Sequence, residues 1–330
     1  MPRKLASMRL EYGVAGLGCM GMSGVYGPAD EDEAIATIHA ALDAGITLLD
    51  TGDFYGMGHN ELLIGRALAG GRGERALVSV KFGAQRGPDG SWLGYDASPA
   101  AVKTAAAYSL RRLGRDHIDI HRPARLDPKV PIEETVGAIS ELVQAGYVRA
   151  IGLSEVSATM IRRAAAVHPI SDLQIEYSLL SRGIEAEILP VCRQLGIRVT
   201  AYGVLSRGLL SDAFRPGRAM APGDIRRRMP RFEASNARAN ARLVEALRQI
   251  ARERGVTVAQ LAIAWVASRG PDIVPLIGAR RRDQLTEALA GLNLGLSAQE
   301  LEAIEKAAPA HAVRGARYGP QQMADLDSER

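Results

Sequence analysis

The stretch Leu48-Leu49-Asp50-Thr51-Gly52-Asp53-Phe54-Tyr55-Gly56 leads from an apolar run into an acid, and a tyrosine follows five residues after that acid. The next apolar run, Ala76-Leu77-Val78-Ser79-Val80, ends in a lysine, Lys81. Short apolar runs that stop at polar residues are typical of buried strands that give way to loops. We therefore predict that Asp50, Tyr55 and Lys81 meet at one mouth of a sheet.

Strand and helix patterns alternate along the whole chain. Eight strands are predicted, at residues 14–18, 46–50, 76–82, 118–121, 148–153, 173–177, 197–202 and 273–277. Eight βα units in 330 residues predict an α/β fold, a single-domain (β/α)8 TIM barrel over residues 1–330. A doubly wound open sheet is the alternative, and residues 8–12 with 14–18 are expected to form a short N-terminal hairpin.

Segments without helical or strand periodicity are expected to be loops at the carboxyl ends of the strands. Residues 84–97 are rich in glycine, and residues 206–235 form a long irregular stretch that is a possible lid. Residues 314–330 are expected to be a polar tail. In a TIM barrel, loops on this face determine which substrate is accepted.

Composition excludes several classes of protein. Apolar residues make up 47% and charged residues 24% of the chain, and the net charge is only +4. The two cysteines, Cys19 and Cys192, are too few for a disulfide framework and have no metal-ligand spacing. With no run of about 20 apolar residues, we expect a cytoplasmic protein with a small-molecule substrate and with no nucleic-acid, membrane or metal partner. The oligomeric state is left open.

The polar residues at the predicted strand ends suggest acid–base chemistry. An ammonium group beside a phenol favours the phenolate, so Lys81 is expected to lower the pKa of Tyr55 while Asp50 holds Lys81. A tyrosine tuned in this way can exchange a proton with a carbonyl or an alcohol. Because no metal-ligand cluster or Ser-His-Asp spacing is present, the remaining chemistry is expected from a cofactor. The arginines at 280–282 open a helix after the last strand and suit a phosphate.

Several motifs resemble those of the aldo-keto reductase family over nearly the whole chain. They are Gly16-Leu17-Gly18-Cys19-Met20-Gly21-Met22, Leu49-Asp50-Thr51 through Tyr55-Gly56, His59-Asn60-Glu61, Val80-Lys81-Phe82-Gly83, Val130-Pro131-Ile132-Glu133-Glu134-Thr135, Ile151-Gly152-Leu153-Ser154-Glu155 and Gln174-Ile175-Glu176-Tyr177-Ser178-Leu179. The sequence is similar above all to the bacterial branch with pyridoxal reductase-like and auxin-induced-protein-like members.

The resemblance implies an NADPH-dependent oxidoreductase that reduces an aldehyde or ketone to the alcohol by hydride transfer. Tyr55 would be the proton donor, Lys81 its neighbour and Asp50 the anchor of Lys81. Residues that would bind NADPH or NADP+ are Gly18, Cys19, Met20, Asp50, Ser154, Gln174, Tyr202, Gly203, Leu205, Arg207, Gly208, Gly278, Arg280, Gln284 and Glu287. Among these, Ser154 and Gln174 match the carboxamide site, and Tyr202 matches the aromatic that stacks on the nicotinamide.

The sequence departs from the family pattern at a catalytic position. Family members carry a histidine five residues after the strand-four aspartate, but here that aspartate is Asp119 and Ala124 stands at the histidine position. His121 is two residues after Asp119, on the opposite face of a strand. We predict an incomplete tetrad, with Tyr55, Arg122 and Ala124 facing the substrate and Arg122 or Arg125 as possible replacements.

Two further departures concern the cofactor. Gly203-Val204 replaces the usual Ser-Pro, and Ala288 replaces an asparagine after Glu287. The affinity for the cofactor is therefore expected to be modest. Because the tetrad is incomplete, an NADPH-binding regulatory or sensor subunit with little turnover is the alternative function.

Overall fold

Eight parallel strands close into a barrel in the computed structural model, which describes residue 10 and residues 13–329. The barrel strands are β1 (Gly16–Gly18), β2 (Leu48–Gly52), β3 (Leu77–Phe82), β6 (Ile118–Pro123), β7 (Val148–Ser154), β8 (Ile170–Glu176), β9 (Arg198–Tyr202) and β10 (Ile273–Ile277). They are hydrogen-bonded in the order β1, β10, β9, β8, β7, β6, β3, β2 and back to β1. The TIM barrel predicted from the sequence is confirmed.

The strands are buried on both faces because they are enclosed by helices outside and fill the barrel inside. Leu49, Val78, Val80 and Ile151 are fully buried and belong to one continuous apolar core. Burial on both faces explains why the strands are continuous apolar runs rather than alternating ones.

Helices connect the strands along the outside of the barrel. They are α1 (Glu31–Asp43), α2 (His59–Leu68), α3 (Pro99–Leu113), α4 (Ile132–Gln144), α5 (Ala158–Val167), α6 (Ile188–Leu195), α7 (Ala234–Arg254), α8 (Val258–Ala267), α9 (Arg282–Leu292), α10 (Ala298–Ala307) and α11 (Pro320–Ala324). Side-chain caps set some of their starts: Asp30 accepts a hydrogen bond from the Glu33 amide, and Ser98 accepts one from Ala101. None of the helices in the described residues is long and apolar enough to span a membrane.

Residues 84–97, expected to be a loop, contain an antiparallel hairpin of β4 (Ala84–Arg86) and β5 (Trp92–Tyr95). Trp92 on this hairpin is partly exposed, and the Arg86 guanidinium lies 5.1 Å from the centre of its ring. The chain's other tryptophan, Trp265, is fully buried in α8. The expectation of a loop overlooked the β-forming aromatic residues Trp92 and Tyr95, which follow a glycine-containing turn.

The long stretch at 206–235 is not structureless. It contains short 3-10 helices at Ser206–Gly208, Ile225–Arg228 and Pro230–Phe232 before α7 begins. The predicted polar tail also folds back onto the barrel, where Arg317 and Tyr318 are buried. The first piece of the predicted N-terminal hairpin, residues 8–12, lies outside the described residues except for residue 10.

Candidate active site

A buried ion pair lies where β2 and β3 reach the carboxyl mouth of the barrel. Lys81 Nζ is 2.6 Å from Asp50 Oδ2, and both side chains are almost fully buried. Asp50 Oδ1 accepts hydrogen bonds from Gln174 Nε2 at 2.7 Å and from Ser79 Oγ at 3.2 Å. Both carboxylate oxygens are thus engaged, and the lysine is held in one position.

Tyr55 begins a 3-10 turn directly after β2, which brings its ring beside Lys81. Lys81 Nζ lies 5.0 Å from the centre of the Tyr55 ring. Burial, followed by the negative charge of Asp50, raises the pKa of Tyr55 well above its usual value of 10. The pKa of Tyr55 is thus not lowered in the cofactor-free site, contrary to the expectation, because burial and the Asp50 carboxylate both oppose ionisation of the phenol. Tyr55 is therefore a protonated phenol at neutral pH.

The side chain of residue 124 contributes no polar group to the mouth. The Ala124 amide donates to the Phe82 carbonyl at 2.8 Å, which fixes its register beside β3. His121 does not compensate, since its ring is fully buried and stacks on Phe82 with 4.3 Å between ring centres. Neither nitrogen of that ring has a hydrogen-bond partner among the described residues. Burial lowers the pKa of His121 to about 3, so the ring is neutral.

Arg122 is not placed to contact a substrate, and its predicted role is corrected. Its side chain is completely buried inside the barrel, where it forms an ion pair with Asp172. Arg122 Nη2 also donates to Ser79 Oγ at 2.8 Å. This arginine supports the site from below, through Ser79 and Asp50.

Arg125 lies at the mouth, on the other side of Ala124. Its Nη1 donates to the Ala124 carbonyl at 2.6 Å and lies 3.5 Å from Ser154 Oγ. Its positive charge acts on Tyr55, where it opposes the larger effects of burial and Asp50 on that pKa. Arg125 is therefore the cationic side chain next to the position that lacks a histidine.

The C-terminal segment, residues 314–329, closes over the same mouth, on the face where it was expected, but its buried ion pairs were not predicted from the sequence. Arg317 forms a two-pronged ion pair with Glu155, with N–O distances of 2.8 and 3.0 Å. The Tyr202 hydroxyl donates to Glu155 at 2.6 Å and lies 3.0 Å from the Tyr318 hydroxyl. No local pattern could have revealed this, because Arg317 and Glu155 are 162 residues apart.

Backbone strain concentrates at this mouth. Among the described residues, the non-glycine residues with positive φ are Met57 after β2, Glu155 after β7, and Ser206 and Arg207 after β9. Such conformations are costly and cluster where a structure must hold a ligand or a reacting group. The strain marks the same loops that the sequence assigned to the cofactor and the substrate.

The groups assigned to a nicotinamide dinucleotide fit that ligand. Ser154 and Gln174 are paired in register on β7 and β8, which places a hydroxyl and an amide side by side. Arg281 and Arg282 are paired with Asp283 and Glu33, respectively. Among the described residues, the Arg280 guanidinium donates only to backbone carbonyls, so its charge is available to a phosphate.

The remaining predicted cofactor residues lie around the same mouth or beside α9. Gln284 accepts from the Arg280 amide at 3.1 Å, and Glu287 accepts from Thr257 Oγ1 at 2.7 Å. Arg207 pairs with Glu176 at 3.0 Å and lies 4.5 Å from the centre of the Tyr318 ring. The others are Gly18 at the end of β1, Cys19 and Met20 just after it, Gly203, Leu205 and Gly208 after β9, and Gly278 after β10.

The sequence of the chain matches a known protein family over most of its length. Residues 15–309 match the aldo/keto reductase family. This chain belongs to that family. The pyridoxal reductase-like branch remains a prediction.

Solved structures of aldo/keto reductases from several bacteria resemble this one. A glycerol dehydrogenase from Gluconobacter oxydans is 30% identical, with a TM-score of 0.84 over 92% of this chain and 93% of that chain. The holo form of an aldo-keto reductase from Bacillus halodurans is 29% identical, with a TM-score of 0.75 over 95% and 96%. An aldo/keto reductase from Klebsiella pneumoniae in complex with NADP and acetate is 27% identical, with a TM-score of 0.72 over 93% and 95%.

Proposed function

We propose that this aldo/keto reductase uses NADPH to reduce an aldehyde or ketone, with Tyr55 as the proton donor. The observation that carries the proposal is the buried Asp50–Lys81 pair, with Lys81 Nζ 5.0 Å from the Tyr55 ring centre. The NADP and NADPH complexes of the Klebsiella pneumoniae relative support the choice of cofactor. Arg280 supports NADPH over NADH, since a 2′-phosphate requires a cationic partner.

The site residues divide the chemistry in a simple way. Bound NADPH supplies the hydride that the carbonyl carbon receives. Tyr55 holds a proton at its hydroxyl at neutral pH, because burial and Asp50 raise its pKa. As the carbonyl oxygen gains negative charge, Tyr55 donates that proton, and the Lys81 cation stabilises the phenolate that remains.

Other residues orient the reactants. Asp50 keeps Lys81 from rotating away, and Ser79 and Gln174 hold Asp50 through its second oxygen. Ser154 and Gln174 would hold the carboxamide of the cofactor, and Tyr202 would face its ring. Asp50 and Lys81 are buried, so their charges act on the site more strongly than they would in water.

The test is the Tyr55→Phe variant, assayed by NADPH oxidation with activated aldehydes. Loss of a general acid is expected to lower kcat by about 10²- to 10⁴-fold, while the dissociation constant for NADPH, measured by fluorescence, stays within twofold. Tyr108→Phe is the matched control, because Tyr108 is an exposed tyrosine on α3. Full activity of Tyr55→Phe contradicts the proposed role, and tight NADPH binding by the wild type without turnover of any aldehyde favours the regulatory alternative.

A further inference from the structure

Arg125 is a cation without a carboxylate partner of its own at the mouth of the barrel. Within residue 10 and residues 13–329, no carboxylate oxygen lies within 4 Å of its guanidinium. Its hydrogen bonds go to a backbone carbonyl and to the Ser154 hydroxyl, both from Nη1. The remaining N–H groups of the fork have no acceptor among these residues.

The neighbouring charges at the mouth already compensate one another. Lys81 is paired with Asp50. Three cations form ion pairs with three anions there. The cations are Arg207, Arg231 and Arg317, and the anions are Glu155, Glu176 and Glu329. Arg125 belongs to none of these ion pairs, and a partly buried cation gains most when an anion joins it.

The surroundings of Arg125 keep it charged and in place. Burial alone would lower the pKa of its guanidinium, but Tyr202, Tyr318 and Glu155 raise it. Ala124, the residue before it, presents only a methyl group on this side of the mouth.

We infer that Arg125 binds an anionic substituent, such as a carboxylate, on the carbonyl substrate, and so selects aldehydes and ketones that carry a carboxylate near the reacting group. This inference rests on the proposed function of the same site. The fork of Arg125 accepts a carboxylate through its free N–H groups, while Tyr55 faces the carbonyl oxygen. Arg125 is thus a residue that determines specificity, and proton transfer stays with Tyr55.

The test compares two aldehydes that differ only in charge, 4-formylbenzoate and its methyl ester. The wild type is expected to show a kcat/KM for 4-formylbenzoate about 10- to 100-fold above that for the ester. A ratio of this size corresponds to the strength of a charge-assisted hydrogen-bonded pair. In Arg125→Gln this preference disappears through a higher KM for the acid, so that the kcat/KM values for the acid and the ester become similar. Arg125→Lys keeps part of the preference.

Two further measurements separate this inference from the proposed function. Benzoate is expected to raise the melting temperature of the wild type and of Arg111→Gln, a control at an exposed arginine of α3, but not that of Arg125→Gln. NADPH affinity is expected to be the same in all three proteins. If the wild type reduces neither aldehyde, the proposed function fails, and the benzoate measurement still decides the role of Arg125. Equal losses on both aldehydes, or an equal benzoate shift in Arg125→Gln, overturn the inference.

Discussion

Replacement of Arg317 by methionine removes the guanidinium that holds the C-terminal segment against the barrel. Arg317 contacts both oxygens of Glu155, at 2.8 and 3.0 Å, and reaches Glu176 at 3.3 Å and Glu329 at 2.7 Å. Arg317 and Glu155 are almost fully buried. Burial raises the pKa of Glu155, but Arg317 outweighs that effect and holds it below the usual range.

Loss of one partner from a buried ion pair destabilises a protein by about 3–5 kcal/mol, because the other charge is left unpaired. The decrease in the free energy of global unfolding is limited, because residues 314–329 can detach and let water reach Glu155 without unfolding the barrel. We therefore expect Arg317→Met to lower the free energy of unfolding by about 3 kcal/mol at pH 7. A carboxylate with a lowered pKa stabilises the fold above its unfolded pKa of about 4.5, so the difference from wild type should shrink as the pH falls below that value.

Urea unfolding followed by circular dichroism at pH 7 and pH 4 measures both effects, and hydrogen exchange on residues 314–329 measures detachment. Arg314→Met is the matched control, because Arg314 is exposed and only its backbone is hydrogen-bonded. Adding Glu155→Gln to Arg317→Met should recover part of the lost stability. An unfolding free energy within about 1 kcal/mol of wild type, with unchanged exchange in the segment, would refute the reasoning.

Three smaller predictions follow from buried groups. His121→Leu should leave kcat within twofold and should not destabilise the protein, because the ring is neutral and its nitrogens are unpartnered; a large fall in kcat would make His121 catalytic. Burial, followed by the charge of Glu61, raises the pKa of Asp53 to about 7. The contribution of Asp53 to the stability of the fold is therefore lost as the pH rises from about 4 to about 7. Asp53→Asn should raise the urea midpoint at pH 8 and leave it unchanged at pH 4. Gly65→Ala should destabilise the protein by about 2 kcal/mol or more in urea unfolding, because the new Cβ would lie 2.7 Å from the Arg112 carbonyl oxygen. An unchanged urea midpoint would show that α2 and α3 can move apart.

The barrel could be predicted from sequence because each strand carries its own signal. Runs such as Leu48–Asp50 and Val78–Lys81 are mostly apolar until they reach the mouth, and the charged residue that ends each run marks the carboxyl end of the strand. The Asp50–Lys81 contact followed from this rule alone, since parallel strands end at one face. Each of these patterns spans a few neighbouring residues and is typical of one structure, a buried strand.

Features that depend on distant partners could not be predicted in this way. Arg317 is a charged residue near the C-terminus, which on its own favours an exposed position, and only Glu155 explains its burial. The pKa of Tyr55 was predicted with the wrong sign for a related reason. The sequence shows Lys81 as a neighbour, but it does not show the burial and the charge of Asp50 that raise the pKa of Tyr55.

The placement of the two tryptophans gives the protein two separate optical reporters. Trp92 is on the β4–β5 hairpin and is partly open to water, whereas Trp265 is enclosed in α8. A soluble quencher should therefore reach the indole of Trp92 and leave that of Trp265 bright. Changes in the quenchable fraction of the emission would follow the hairpin as ligands bind, and the unquenched fraction would follow the integrity of the barrel.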